Sequence, residues 1–369
     1  MTNRLVAVRE RIAAAGLDAL LVSDLTNIRW LTGFKGSNGW LVVSASSLVF
    51  VTDGRYAEQA QRQSSAVGVS LEVLVGATGA AVLDHTAQAV GRFARVGFES
   101  AHLTVLQHEQ HRAAVARMNA TCELVPMVGV VESCRRSKDS VEIESIERAC
   151  RIADQALADV APHLEGLTEV EVRNRLEARM RELGASGPSY ETIVATGPVN
   201  GALPHHRPTD TVIETGHLVV IDVGALVDGY HSDMTRTFVV GEPTPQQSER
   251  YQLVLDAQRA GLAAVHAGAS AASIDHAARS VIEAAGFGDW FSHGTGHGVG
   301  LLIHEDPFVS RASDAILQVG DVVTVEPGVY HEGFGGIRVE DLVVVTPDGC
   351  RVLTSSTKDS PCLPLPPTT

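Results

Sequence analysis

Four carboxylates and three histidines in the C-terminal half stand where their surroundings do not account for them. Asp222 closes the apolar run Val219-Val220-Ile221, and Asp233 precedes Met234-Thr235-Arg236-Thr237-Phe238. Asp228-Gly229 lies between these two β-rich runs and is a two-residue hairpin signal. With those two residues as the loop, Val227 faces Tyr230 and Asp222 falls opposite Thr235. Asp233 is then on the same face, diagonal to Asp222. Two carboxylates on one face of an apolar hairpin would repel and lose hydration unless a cation lay between them. The alternative is a pair of exposed surface acids.

A second acidic pair repeats the problem. Glu326 stands in Thr324-Val325-Glu326-Pro327-Gly328 and Glu340 in Ile337-Arg338-Val339-Glu340-Asp341, both within Val/Ile-rich stretches where a lone carboxylate is costly. Between the pairs runs His293-Gly294-Thr295-Gly296-His297-Gly298-Val299-Gly300, followed by His304. Its alternating glycines let backbone pack closely around imidazoles. We read His293, His297 and His304 as site residues, and the isolated His85, His102, His163, His266 and His276 as structural. Two Asp, one His and two Glu form an oxygen-rich ligand set. Their four negative charges balance two divalent cations, and Mn²⁺, Co²⁺ or Zn²⁺ suits such donors. Two metals ~3.5–4 Å apart hold a bridging hydroxide and polarise a carbonyl, which is equipment for amide hydrolysis.

These residues need a frame. The polar stretch from Glu132 to Lys138 marks a change of pattern, so residues 1–130 and 131–360 are expected to form separate domains. In the second, Asp139 with Glu142 starts a helix, and Thr168 with Glu171 starts another that Gly184 ends. Strand-like segments follow at Thr192–Ala195 and His217–Val223. Helices from Thr244-Pro245 to about Gly268 and from Ile274 to Ala285 come next, then strands at Asp321–Glu326 and Ile337–Val345. The helix starts at Asp139 and Thr244 lie 105 residues apart, and Asp222 and Glu326 lie 104 apart. The order of helices then strands therefore repeats, each half offering one acidic pair. The first domain reads as an α/β unit: an amphipathic helix closed by Gly16, then strands at Ala19–Val22, Trp40–Val43 and Leu48–Val51. The Gly-rich stretch 33–39 has neither phosphate-loop nor dinucleotide spacing. The tail 361–367 has no packed period.

Composition excludes several classes. The 369 residues are 44% hydrophobic and 20% charged, which rules out disorder and coiled coil. A net charge of −15 with three lysines argues against nucleic acid. No apolar run approaches a membrane span. Five widely spaced cysteines, with no Cys-x-x-Cys pair, point to free thiols in a reducing cytoplasm.

The ordered set Asp222, Asp233, His297, Glu326, Glu340 resembles the ligand pattern of the dinuclear "pita-bread" metallopeptidases. Within that superfamily the chain is similar to the prolidase and Xaa-Pro aminopeptidase branch. It carries Ser232-Asp233-Met234-Thr235-Arg236-Thr237, the His-Gly-Thr-Gly-His block, Glu326-Pro327-Gly328 and Arg338-Val339-Glu340-Asp341. Leu31-Thr32-Gly33-Phe34 and Thr52-Asp53-Gly54-Arg55-Tyr56 resemble the smaller domain of that branch. The resemblance implies an α+β architecture, with a creatinase/prolidase-like N-terminal α/β domain before a pita-bread catalytic domain of internal pseudo-two-fold repeat. It implies two divalent ions, Mn²⁺ first among candidates. It makes Glu326 both ligand and general base, with His205, His293 and His304 holding substrate or sharing protons. His205 fits the family spacing, and His206 remains a possible substitute. Arg338, two residues from Glu340 on a strand, would reach the peptide's C-terminal side, unless it forms a structural ion pair with a ligand carboxylate. Proline-containing di- or short peptides would be the substrates. A homodimer is expected, with the Gly33–Trp40 loop, bearing Lys35 and Trp40, reaching the partner's site. The competing reading is a non-catalytic pita-bread binding module, but such relatives lose ligands and none is lost here.

Overall fold

The structure, a computed structural model, describes residues 2–363; positions 364–367 of the tail lie outside the described residues. The chain divides into two compact units, the first ending at Arg135 and the second beginning at Arg136. Among the described residues no helix is long and apolar enough to cross a membrane.

The first unit begins with α1 (Thr2–Ala14), β1 (Ala19–Val22), α2 (Leu25–Thr32), β2 (Trp40–Ser44), β3 (Leu48–Asp53) and α3 (Ala57–Ala66). It continues with β4 (Glu72–Gly76), α4 (Gly79–Val90), β5 (Arg95–Glu99), α5 (Val105–Met118), β6 (Glu123–Met127) and α6 (Glu132–Arg135). Its six strands form one mixed sheet in the order β4-β3-β2-β1-β5-β6. Gly16, at φ 66°, turns the chain out of α1 as a left-handed residue can. Part of the Gly33–Trp40 loop, expected to reach a partner, packs into this unit's own core. Phe34 is buried, Asn38 donates to Asp53 Oδ2 at 2.6 Å, and the half-buried Trp40 ring packs on His111 with centroids 4.4 Å apart. A large aromatic surface gains more from its own core than from solvent, which leaves Lys35 and Ser37 as the exposed part.

The second unit opens with α7 (Ser140–Val160), α8 (Glu169–Glu182), β7 (Gly187–Pro188), β8 (Ile193–Thr196), α9 (Gly197–Asn200) and β9 (Leu218–Asp222). Then come β10 (Ala225–Val227), β11 (Tyr230–His231), β12 (Thr235–Val239), α10 (Pro245–Ala264), α11 (Ala271–Ala284) and β13 (Gly296–Gly298). The chain finishes with β14 (Glu305–Val309), β15 (Val322–Val325), β16 (Gly328–His331), β17 (Gly335–Arg338), β18 (Asp341–Thr346) and β19 (Gly349–Val352). Asp139 caps α7 and Thr168 caps α8, each in a reciprocal box with the glutamate three residues on. The order α-α-sheet occurs twice. Leu157, Leu176 and Met180 of α7 and α8 pack on Val219, Ile221 and Phe238 of the β12-β9-β8 sheet. Ile274 of α11 packs on Val323, Val325 and Val343 of the β14-β13-β15-β18-β19 sheet.

Two strand expectations change in detail. The hairpin keeps its register, with Val227 opposite Tyr230 and Asp222 opposite Thr235. Asp228 (φ 48°) and Gly229 (φ 75°) form a turn with both central residues left-handed. Yet the ribbon is bent into two sheets, because β10 pairs with β11 and β7 in one while β9 pairs with β12 and β8 in the other. Asp233 sits in the bend, just before β12. At the same bend a Cβ on Gly224 would stand 2.0 Å from Ser232 O. The segment expected as one strand, Ile337–Val345, is likewise broken after Arg338. There the amides of Val339 and Glu340 donate to Pro327 O (3.4 Å) and Thr235 O (3.2 Å) instead of a common ladder.

Gly224→Ala should therefore destabilise the protein by about 1–3 kcal/mol through overpacking against backbone. Gly349→Ala, with no neighbour within 4 Å of the added carbon, should be nearly neutral. Urea denaturation of the two variants beside wild type checks the contrast.

Candidate metal centre

The breaks in the strands bring the carboxylates together. Asp222 ends β9, Asp233 occupies the hairpin bend, and Glu340 fills the gap between β17 and β18; one ligand oxygen from each lies within 4.8 Å of the others. Across from them, His297 of β13 points its Nε2 at Asp233 Oδ2 and at Glu326 Oε1, both 3.5 Å away. Its Nδ1 lies 3.1 Å from Gly298 O. With Nδ1–H donating to that carbonyl, Nε2 keeps its lone pair for a cation. Thr324 ties the pair together, since its hydroxyl donates to Glu326 Oε1 (3.1 Å) and accepts the His297 amide (3.0 Å). All five residues expected as ligands thus converge.

Electrostatics show what the cluster lacks. Burial, then the charges of Asp222 and Glu326, pushes Asp233 well above the usual carboxylate range. Glu340 is raised in the same way by burial and by Asp233, Glu326 and Asp222. Protein groups offset part of this. Arg338 donates from Nη2 to Asp222 Oδ2 at 2.7 Å, and Thr235 donates its hydroxyl to Glu340 Oε2 at 2.7 Å. The hydroxyl of Tyr190 lies between Asp222 Oδ1 and Asp233 Oδ1; burial and both carboxylates push its own pKa far up, so it remains a donor. Glu340 Oε1, however, is buried with no hydrogen-bond partner among the described residues. A buried carboxylate oxygen left so, beside two more carboxylates and an imidazole lone pair, fits a divalent cation.

The cluster forms one wall of a cavity of about 540 Å³. His205, His293, His304 and Arg338 line it too, and they are not equivalent. His304 is exposed, with its ring 4.3 Å from that of His297, and burial and His297 hold its pKa low. Both nitrogens of His293 are engaged, Nδ1 with Gly294 O (2.8 Å) and Nε2 with the Tyr330 hydroxyl (3.1 Å). His206 borders the cavity too, but it is engaged elsewhere: its Nε2 meets the buried Glu169 carboxylate at 2.8 Å, and Thr209 donates its amide and hydroxyl to the same oxygen. The clamp holds the loop on which His205 sits at the cavity. Arg338 commits four of its five N–H groups, to Thr235 Oγ1, the Tyr330 hydroxyl, Pro204 O and Asp222 Oδ2. The ion pair with a ligand carboxylate, weighed above as the alternative, is thus present. Tyr190, Tyr330 and Glu169 went unnoticed in the sequence. No local pattern marks a tyrosine or a first-turn glutamate whose partners lie 8 to 43 residues away.

This fold and site have known relatives. The profile of Metallopeptidase family M24 matches residues 144–347, and that of the Creatinase/Prolidase N-terminal domain matches residues 4–137. The Uncharacterized peptidase YqhT of Bacillus subtilis is 40% identical over 359 residues, covering 96% of this chain and 99% of its own. A solved Xaa-Pro dipeptidase from Bacillus anthracis superposes with a TM-score of 0.92 at 38% identity, over 98% and 99% of the two chains. The X-Pro aminopeptidase from Thermotoga maritima superposes at 0.86 and 32%, over 95% and 99%. The chain belongs to metallopeptidase family M24, with a creatinase/prolidase-type N-terminal domain ahead of its catalytic one. It is a metal-dependent peptide hydrolase, and the family implies divalent ions at its centre.

Metal removal should expose the repulsion. Without cations, Asp233 and Glu340 hold protons in the folded protein at pH values where the unfolded chain has lost them. Folded protein then binds more protons, so stability falls as pH rises above the ordinary carboxylate range. Adding Mn²⁺ to chelated protein should therefore raise Tm more at pH 8 than at pH 5, as differential scanning fluorimetry would register.

Proposed function

We propose that this chain is a dinuclear metallo-exopeptidase that cleaves Xaa-Pro bonds in dipeptides or short peptides. The observation that carries the reading is the convergence of three carboxylate oxygens within 4.8 Å, one residue of the three having a buried unpartnered oxygen, at the wall of a peptide-sized cavity. Asp222, Asp233, His297, Glu326 and Glu340 would hold two ions. Mn²⁺ is the first candidate for these donors, with Co²⁺ or Zn²⁺ as alternatives. When bound, such ions lower the pKa of water and polarise a carbonyl oxygen. Glu326 is the general base: its carboxylate borders the cavity and is fixed by Thr324. His304, exposed and with its pKa lowered by burial and by His297, is available to share a proton or to bind the peptide. His205 contributes a second imidazole, and His293 acts as a wall set by Tyr330. Arg338 orients Asp222 and has one N–H left for substrate.

Proline specificity is supported by the relatives, whose names include both an Xaa-Pro dipeptidase and an X-Pro aminopeptidase. All five cysteines are free, which fits a cytoplasmic setting. The non-catalytic alternative has no missing ligand to favour it.

Asp233→Ala should lose metal and turnover together. Glu326→Gln should keep more of its metal than of its kcat, which should fall roughly 10²–10⁴-fold. Elemental analysis beside kinetics on Xaa-Pro dipeptides separates the two. If Glu326→Gln keeps most of its turnover, Glu326 is not the base, and His304, unlike the doubly bonded His293, becomes the candidate. If metal-loaded wild type leaves every Xaa-Pro peptide intact, the reading fails.

We also propose a homodimer in which the exposed tip around Lys35 and Ser37 reaches the partner. Light scattering at assay concentration should give twice the mass of 39.1 kDa; a fully active monomer would overturn it.

A further inference from the structure

Two charged side chains at the edge of the catalytic cavity have no part in the chemistry assigned above. Arg207 and Glu191 both line it. Arg207 is 85% exposed, and the Glu191 carboxylate stands 3.7 Å from its Nε, beyond hydrogen-bond length. Glu191 has a second cation, Arg173, also at 3.7 Å. Arg207 can therefore leave Glu191 without stranding that carboxylate, and an exposed pair so loosely held costs little to separate.

We propose that Arg207 is the docking point for the C-terminal carboxylate of a dipeptide substrate; this rests on the Xaa-Pro exopeptidase reading. Asp222, Asp233, Glu326 and Glu191 all line the cavity and would repel an incoming carboxylate. Three of the other basic side chains there are already occupied. Arg338 is committed to Thr235, Tyr330, Pro204 and Asp222, His206 is taken by Glu169, and both nitrogens of His293 are engaged. The planar fork of an arginine matches a carboxylate with two parallel N–H bonds.

Position agrees with chemistry. Arg207 lies two residues beyond His205, on the loop that Glu169 clamps through His206 and Thr209. In an Xaa-Pro dipeptide the terminal carboxylate follows the scissile bond by one residue, roughly 3.3–3.6 Å of chain. A longer peptide presents a neutral carbonyl at that point and carries its charge further out. Arg207 thus favours dipeptides over capped or extended substrates.

The test uses Mn²⁺-loaded enzyme on Ala-Pro, on its C-terminal amide, and on Asp-Pro, with metal content measured for each variant. In Arg207→Gln the KM for Ala-Pro should rise roughly tenfold or more relative to that for the amide, with kcat little affected. Glu191→Gln, which removes the competing carboxylate, should shift the same ratio the other way. Equal changes for acid and amide, or no change in either variant, overturn the proposal. A loss confined to Asp-Pro overturns it too, since Arg207 would then read an acidic first side chain. Wild type that cleaves none of the three substrates signals failure of the Xaa-Pro reading itself, a different outcome from a variant that leaves selectivity intact.

Discussion

Four carboxylates cannot share a dry pocket without positive charge, and the second unit is organised around that constraint. The polypeptide supplies part of the compensation. Arg338 is buried against Asp222, Tyr190 places one hydroxyl between two aspartates, and Thr235 serves Glu340. The rest must come from outside the chain, because Asp233 and Glu340 are both driven toward protonation and one Glu340 oxygen has no partner. Metal binding at such a centre is also a contribution to folding, since it relieves repulsion that the folded chain alone creates.

The backbone solution is to put each carboxylate at an interruption. Asp222 ends a strand, Asp233 lies in a hairpin bend, Glu326 follows β15 and precedes Pro327, and Glu340 falls between two strands. In a continuous strand side chains alternate between faces, which would spread the ligands over both sides of two sheets. At a break the chain can turn a side chain toward a common point while the flanking Val and Ile residues stay in the core. The cost is a set of amides that leave their ladders, and those of Val339 and Glu340 are satisfied by Pro327 O and Thr235 O from neighbouring segments. Arg236, buried beneath the centre, donates to the carbonyls of Thr235 and Glu340 and pairs with Asp341, so the same interruption is fixed from behind.

A second division of labour separates side chains that hold the site from those free to act. Of the adjacent pair His205 and His206, one faces the cavity and the other is bound to buried Glu169. His293 and His304 both line the cavity, but the first is saturated by Gly294 and Tyr330 while the second is exposed. Lys138, on the chain leading into α7, meets Glu305 at 2.6 Å and so secures the residue next to His304. Reactive freedom is confined to a few groups on loops, with His205 and His304 each anchored by a buried polar contact of the next residue.

The sequence by itself determined the candidate ligand set, the hairpin register and most helix starts. These depend on information that is local or nearly so. Asp228-Gly229 specifies its turn, Asp139 and Thr168 carry their capping partners three residues on, and carboxylates among Val and Ile are conspicuous wherever they occur. The resemblance to a known family added the roles. Tertiary structure alone decided what depends on distant neighbours. That includes the break at Glu340, the bend at Gly224 forced by Ser232 O, the packing of Trp40 on His111, and the choice between His205 and His206. It also decided that Tyr190 and Arg338 belong with the aspartates, for a hydroxyl or guanidinium acquires its role from the charge it meets, and those charges arrive from other strands only when the chain has folded.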